Sequence, residues 1–323
     1  MKTFVIFLFS VAALAAQRSD NPIELGKVEW IRDYDQAIAQ SKATDKPIFL
    51  LFQEVPGCAN CTKYGKDILS HPLMVEAIET EFVPLAIFNN KSGKDREVLV
   101  QFGEPSWNNP VVRIIDNEGN DLAQRVGNFR SKTKIVNTVI QVLERENNAV
   151  PKYLELLSQE WQGQEATAEE GFLSMYCFWT GEREIAKIDG VLSTEAGFMH
   201  GREVVKVAYD ETKTDLAKIG EQASKVSCAD AIYTDQVVKT SIPTKKEGSY
   251  RKDNQDKYYL RHTDYQYIPL TAIQQTKINS AIGSKQNPSK YLSPRQTEML
   301  ASLKSKKSQL DRDFANAWWA MAM

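Results

Sequence analysis

Apolar and polar positions along the chain fall into two rhythms, and their order lays out a run of helices and strands. Tyr34, Ala37, Ile38 and Ser41 have helical spacing, and Lys46-Pro47 punctuates before the apolar run Ile48-Phe49-Leu50-Leu51-Phe52. Consecutive apolar residues ahead of a turn suit a strand covered on both faces. Val55-Pro56-Gly57-Cys58 follows directly, and a helix is expected to open at or near Cys58. Ser70-His71-Pro72 reads as a cap with proline early in a helix that runs through Ile78. Phe82 to Phe88 and Pro110 to Ile115 give two more strands. Asp116-Asn117-Glu118-Gly119 turns the chain into Leu122 to Val126, and Thr133 to Leu143 closes with helical periodicity. The order is βαβ, then a β-hairpin, then a helix.

The pattern breaks over 148–167, where a short helical patch at Tyr153 to Leu157 gives way to polar residues. This stretch is expected to be a linker between two domains, 24–147 and 168–323. Charged residues from Lys245 to Lys257 precede Tyr258, Tyr259, Tyr265 and Tyr267, whose composition suits an aromatic strand on a sheet. Helices are expected around Ile273 to Ile282 and from Ser293 to Leu310, the latter opened by Ser293-Pro294, and the apolar tail Phe314 to Met323 is expected to dock on the core.

Length and charge narrow the classes. At 323 residues and 42% hydrophobic content the chain can bury more than one core. A net charge of −2, with lysines scattered among acids, leaves no basic face for nucleic acid. Met1-Lys2, the apolar run Thr3 to Ala12 and Ala13-Leu14-Ala15 read as a signal peptide, 1–16, too short to span a bilayer. The mature protein is therefore expected to be exported, periplasmic or extracellular, without a membrane anchor. In that setting disulfides persist, and a dithiol stays reduced only if an external donor supplies electrons.

Two cysteine-centred segments hold three of the four cysteines. Cys58 and Cys61 form a C-x-x-C pair at an expected helix start, where the helix dipole and free backbone N–H groups favour a thiolate. Cys58 would attack and Cys61, one turn deeper, would resolve; a static disulfide is the plainer alternative. The three histidines, His71, His200 and His262, are widely separated, so no metal ligand set is completed, and no cofactor is called for.

Strand, then C-x-x-C opening a helix, then Asn109-Pro110-Val111 at a later strand start resembles the thioredoxin fold over about residues 24 to 147. The resemblance implies that Pro110 is a cis-proline beside the dithiol, where it would contact substrate. The Val-Pro-Gly-Cys-x-x-x-Thr string is similar to a bacterial group of thioredoxin-like proteins in which the first cysteine can be selenocysteine.

Farther on, Tyr176-Cys177-Phe178-Trp179-Thr180-Gly181-Glu182, then Gly190-Val191-Leu192-Ser193-Thr194, then Arg202-Glu203-Val204-Val205 and Tyr209-Asp210 resemble the A-type methionine sulfoxide reductase family. The resemblance implies Cys177 as nucleophile, Phe178 and Trp179 as the aromatic pocket, and Glu203 as the acid facing the sulfoxide oxygen. The residue types fit that chemistry: a thiolate to attack sulfur, a proton donor for the departing oxygen, and an aromatic wall for a methyl group. Here Phe198-Met199-His200-Gly201 joins two motifs that the family separates, so the tyrosine carried between them is absent; Tyr258, Tyr259, Tyr265 or Tyr267 could supply its hydroxyl, against the preferred reading of an aromatic strand. Cys228 would resolve a sulfenic acid on Cys177, or form a constitutive disulfide with it.

The expectation is an α/β protein, a thioredoxin-like domain followed by an α+β domain. It would be an exported redox enzyme reducing methionine sulfoxide in an oxidised protein or peptide. The alternatives are a thiol-disulfide oxidoreductase whose second domain binds a client, and a non-catalytic disulfide-stabilised scaffold.

Overall fold

The computed structural model describes residues 21–57, 59–127, 131–146, 149–166 and 168–305. The expected signal peptide, Cys58 and the tail from Phe314 lie outside the described residues.

The first unit runs α1 (Tyr34–Thr44), β1 (Ile48–Gln53), α2 (Ala59–Asp67), α3 (Pro72–Glu81), β2 (Val83–Phe88), α4 (Lys94–Gln101), β3 (Val111–Ile115), β4 (Val126–Gly127) and α5 (Lys132–Arg145). Its sheet has the order β2-β1-β3-β4, with β1 and β2 parallel and the other pairs antiparallel. Strand β1 is interior and buried along its whole length, which is why its sequence is an unbroken apolar run. Phe49 and Leu51 pack into one layer with Leu73, Ile78, Ile135 and Val139. Ile48, Leu50 and Phe52 point the other way, toward Ala37, Val98 and Leu99.

Helix α4 was not foreseen, since its apolar stripe is narrow, and it covers the second face of the sheet with Val98 and Leu99. The expected strand Leu122 to Val126 is reduced to Val126–Gly127, preceded by a single bridge between Ile115 and Asp121. At α3 the N-cap is His71, whose side chain makes no cap bond, while Ser70 Oγ donates to the carbonyl of Gly65.

Residues 149–166 do not form a polar tether. They contain α6 (Lys152–Glu165), 14 residues long and longer than the local apolar patch would support alone. Tyr153, Leu154, Leu157 and Trp161 join the first core, and Leu156 meets Leu192 and Ile273 of the following unit. Gly163 lets that contact close, because a Cβ there would stand 2.4 Å from Leu192 Cδ1 and the leucine would have to turn aside. The polar end that suggested a linker is a cap: the Glu165 carboxylate accepts from Ser131 Oγ at 2.6 Å and from the Thr133 amide at 3.1 Å, at the start of α5.

The second unit contains β5 (Glu169–Ser174), α7 (Phe178–Ile185), β6 (Val191–Met199), β7 (Arg202–Tyr209), α8 (Leu216–Lys225), β8 (Ala231–Tyr233), β9 (Thr244–Lys245) and β10 (Arg251–Lys252). Strand order is β10-β6-β7-β5-β8-β9. The abrupt join between the two sequence motifs is a tight hairpin between β6 and β7, with His200 and Gly201 at φ 50° and 73°.

Three more helices follow, α9 (Tyr258–Arg261), α10 (Ala272–Gly283) and α11 (Pro294–Ser305). The aromatic segment expected as a strand is instead α9 and a 3-10 turn, Asp264–Tyr267. Its partners decide this: the Leu260 amide donates to Asn279 Oδ1 of α10 at 3.0 Å, and Tyr258 stacks on α7. Helix α10 begins with a capping box, Thr271 and Gln274. It also satisfies the C-terminal carbonyls of α7, with Ser280 Oγ donating to Arg183 O at 2.6 Å and Lys277 Nζ to Ala186 O at 2.7 Å. At the start of α11 the Arg295 amide donates to Glu76 Oε1 of α3 at 2.6 Å, tying the C-terminal helices to the first unit. The expected fold class holds: a thioredoxin-like α/β unit followed by an α+β unit.

Candidate active sites

Two sites are built on the same backbone device, a cysteine between an interior strand and a helix. In the first, β1 ends at Gln53 and α2 begins at Ala59. Cys61, in the first turn of α2, is fully buried, and its Sγ donates to Asn109 Oδ1 at 3.1 Å. The Asn109–Pro110 peptide is cis and Pro110 is buried, so the Cys61 thiol bonds the residue directly before Pro110. Cys58 lies outside the described residues, and the expected order of exposure within the pair is a matter for solution chemistry.

Residues that sequence reasoning missed hold this site in shape. Glu24 is buried, and its carboxylate accepts from the Gly57 amide at 2.8 Å. The Gln53 side chain donates to the Glu24 carbonyl at 2.7 Å. Asn89 and Asn90, in tandem after β2, clamp two loops: Asn89 Nδ2 donates to Asn108 O at 2.9 Å and Asn90 Nδ2 to Val55 O at 3.2 Å. Glu104 closes the base of the proline loop, taking Arg113 Nε at 2.9 Å and a two-pronged grip from Arg125 at 2.5 and 2.7 Å. Burial raises the affinity of Glu104 for a proton, but Arg125 and Arg113 outweigh it and hold its carboxyl below the usual range. Two polar residues directly after a buried strand were the available signal for Asn89 and Asn90.

In the second site Cys177 is the N-cap residue of α7, with extended backbone at φ −137°, and is half-buried. Glu203 enters from the start of β7 and its Oε2 accepts the Phe178 amide at 2.8 Å. A carboxylate thus caps the helix in place of the cysteine side chain, which makes no cap bond. The Phe178 ring lies 5.3 Å from Phe198 edge-on and 5.5 Å from Trp179. Cys177, Phe178, Trp179 and Glu203 are therefore brought together, as expected.

Cys228 sits just after α8, buried, its Sγ donating to Val226 O at 3.6 Å. Cys177 and Cys228 are both free thiols, which removes the constitutive disulfide between them from this structure. Burial pushes the Cys228 thiol up; Glu184 and Cys177 add to the rise, against Arg183 and Lys187.

Beneath α7 lies a buried ionic cluster that sequence reasoning did not find. Glu182 is fully buried and Lys257 nearly so, with Lys257 Nζ 2.6 Å from Glu182 Oε1 and 3.0 Å from Asp256 Oδ1. Burial raises the Glu182 carboxyl to about 7 against the pull of Lys257, while Lys257 helps hold Asp256 below its usual range. Glu182 belonged to a motif already quoted, but its partner stands 75 residues on, a separation no local pattern reveals.

A family model described as thioredoxin-like matches residues 29–117. The chain thus carries a thioredoxin-like domain, consistent with the sheet order and the placement of Cys61 and Pro110. A peptide methionine sulfoxide reductase MsrA from Methanococcus maripaludis (strain C7 / ATCC BAA-1331) is 35% identical over 74 residues, covering 17% of this chain and 47% of that protein. The chain thus spans about half the length of that curated relative. Among solved structures, one titled DsbH oxidoreductase has 24% identity and a TM-score of 0.32, covering 40% of this chain and 92% of its own.

Proposed function

We propose that the chain is an exported oxidoreductase that reduces methionine sulfoxide in oxidised proteins or peptides at Cys177, drawing electrons through its own Cys58/Cys61 dithiol. The observation that carries the reading is the joint placement of a half-buried cysteine at the start of α7, a carboxylate bonded to the next amide, and aromatic rings on the same turn. The partial likeness to a methionine sulfoxide reductase supports it.

In this reading the Cys177 thiolate attacks the sulfoxide sulfur and Glu203 assists protonation of the oxygen. The S–O bond breaks as the protonated oxygen passes to the Cys177 sulfur, and the bond between the two sulfurs breaks with its electron pair on the substrate, leaving the thioether and a sulfenic acid on Cys177. The Cys228 thiol, or Cys61, condenses with that sulfenic acid, releasing water and forming a disulfide. Exchange with the Cys58/Cys61 dithiol returns Cys177 to the thiol and oxidises the pair, which an external donor then reduces. Having both sites in one chain raises the effective concentration of reductant.

Purified protein with a dithiol reductant should convert the S epimer of a methionine sulfoxide peptide, and Cys177→Ser should abolish this while insulin-type disulfide reduction persists. Disulfide reduction with no sulfoxide turnover would move the assignment to a thiol-disulfide oxidoreductase. That second reading is favoured by the first site alone, where Cys61 meets Asn109 beside the cis Asn109–Pro110 bond. Loss of neither activity in Cys177→Ser would contradict the role given to this cysteine.

A further inference from the structure

We propose that Tyr250–His262 is a strap completing the Cys177 pocket, in which Tyr258 is a substrate-facing wall and Lys257 the buried latch that positions it; this rests on reading Cys177 as the reacting thiol. The strap is seated at three points. First, Tyr250 lies flat on Gly197, where a Cβ would come within 2.3 Å of the ring. Its hydroxyl is bonded to Glu195 Oε1 and Ala196 O, both at 3.0 Å. Second, β10 pairs with β6 at Gly197 and Phe198, which sets the Arg251 guanidinium 4.5 Å above the Phe198 ring.

The third point is the latch. Lys257 adopts φ 60° and ψ 49°, a left-handed conformation that a residue with a Cβ adopts at a cost. Its amide donates to Glu182 Oε2 at 3.1 Å, and its ammonium donates to Glu182 Oε1, Asp256 Oδ1 and the Thr194 carbonyl. All three ammonium donors are therefore used, inside the protein. Asp256 is itself fixed, since its Oδ1 accepts from the Ala196 amide at 3.1 Å. A lysine buried with every donor occupied has essentially one position, and so does the residue that follows it.

That residue is Tyr258. Its ring stacks on Trp179 with centroids 4.1 Å apart and planes 21° from parallel, and the His262 ring lies 4.2 Å from it. Trp179 is two residues from Cys177 in the first turn of α7. The strap thus supplies one group to each outer ring of the site, Tyr258 to Trp179 and Arg251 to Phe198. Tyr258 is half-buried, so part of its ring remains in reach of solvent.

The test uses the full chain and two readouts. Iodoacetamide labelling of Cys177 with peptide mapping measures how well the site is covered; KM and kcat on a methionine sulfoxide peptide measure whether Tyr258 touches substrate. Tyr258→Ala should raise the Cys177 labelling rate and raise KM by about three- to tenfold, the worth of one stacked ring pair, with kcat changed less. Tyr258→Phe, which keeps the ring, should restore the wild-type labelling rate. The double change Lys257→Met with Glu182→Gln, which leaves no lone charge on α7, should reproduce Tyr258→Ala. Wild-type labelling and wild-type KM in Tyr258→Ala would overturn the proposal and leave the strap as packing only. Faster labelling in Tyr258→Ala in a protein whose wild type turns over no sulfoxide would support the strap and sink the assigned reaction instead.

Discussion

The two cysteine sites share a backbone plan and differ in what completes it. In both, an interior strand runs into a turn and a helix opens beside a cysteine: β1 into α2 for the pair at 58 and 61, β5 into α7 for Cys177. The first site gathers its partners from loops of its own unit, with Asn109 on Cys61 and Asn89 and Asn90 clamping the flanking turns. The second gathers Glu203 from a neighbouring strand, and its outer wall from a segment about the length of a small domain away in sequence. The helix start explains why a thiol is placed there; the neighbours decide whether it exchanges with another thiol or attacks a different centre.

The comparison breaks most directly at Glu203, whose carboxylate takes the amide after Cys177, where Glu24 of the first site takes the amide of Gly57. If it protonates the departing oxygen, Glu203→Ala should lower kcat/KM for sulfoxide by about 10²- to 10⁴-fold, with disulfide reduction at Cys58/Cys61 unchanged. Glu203→Gln keeps a group for hydrogen bonding but cannot supply the proton, so it should lose turnover more than binding. A wild-type rate in Glu203→Ala would reduce this residue to a helix cap.

A smaller effect separates the buried carboxylates. Glu104 is held ionised by Arg113 and Arg125, so its contribution is present above the ordinary carboxylate pKa and is lost as pH falls through its lowered value. Glu104→Gln should cost about 2 kcal/mol near neutral pH by leaving Arg125 without its anion and Arg113 with Asp121 alone, and should flatten the acid limb of unfolding. Denaturant melts from pH 3 to 7 would settle it (on the order of four units, ample for one carboxylate). An unchanged acid limb would contradict the assignment.

Glu182 behaves in the opposite sense. Its folded pKa is raised to about 7 from an ordinary 4.5, so its contribution is present below 4.5 and is lost as pH rises through 7. Asp256, held below its usual range, is ionised in both states across that window and leaves the change to Glu182. Comparing Glu182→Gln with wild type at the two ends of that window should show the wild-type slope diminished. An identical slope would place the titration elsewhere.

How much could be read in advance follows the same division. Strand β1 and the helix after it were legible because each depends on local sequence, an unbroken apolar run and a C-x-x-C pair, whereas the cis-proline followed from the resemblance to the thioredoxin fold. Cys177, Phe178, Trp179 and Glu203 were legible as motifs, and the structure brings them together. Helix α6 was not, because its stability comes from Trp161 and Tyr153 meeting a core built by other segments. Tyr258 was misplaced on a strand for the same reason, since aromatic composition favours strands while its actual partner, Trp179, lies far back in the chain. Lys257 gave no signal, because a charged run ordinarily marks solvent and only the fold reveals the carboxylates waiting for it.

The central claim is that Cys177 takes the oxygen and Cys228 or Cys61 clears it. The most direct measurement is mass spectrometry of Cys228→Ser protein, pre-reduced and freed of reductant, given a methionine sulfoxide peptide together with a sulfenic-acid trap such as dimedone. The account predicts a trapped adduct on Cys177, formed as the thioether product appears, and a weaker one when Cys228 is restored. Product formation with no adduct on Cys177, or an adduct confined to another cysteine, would contradict it.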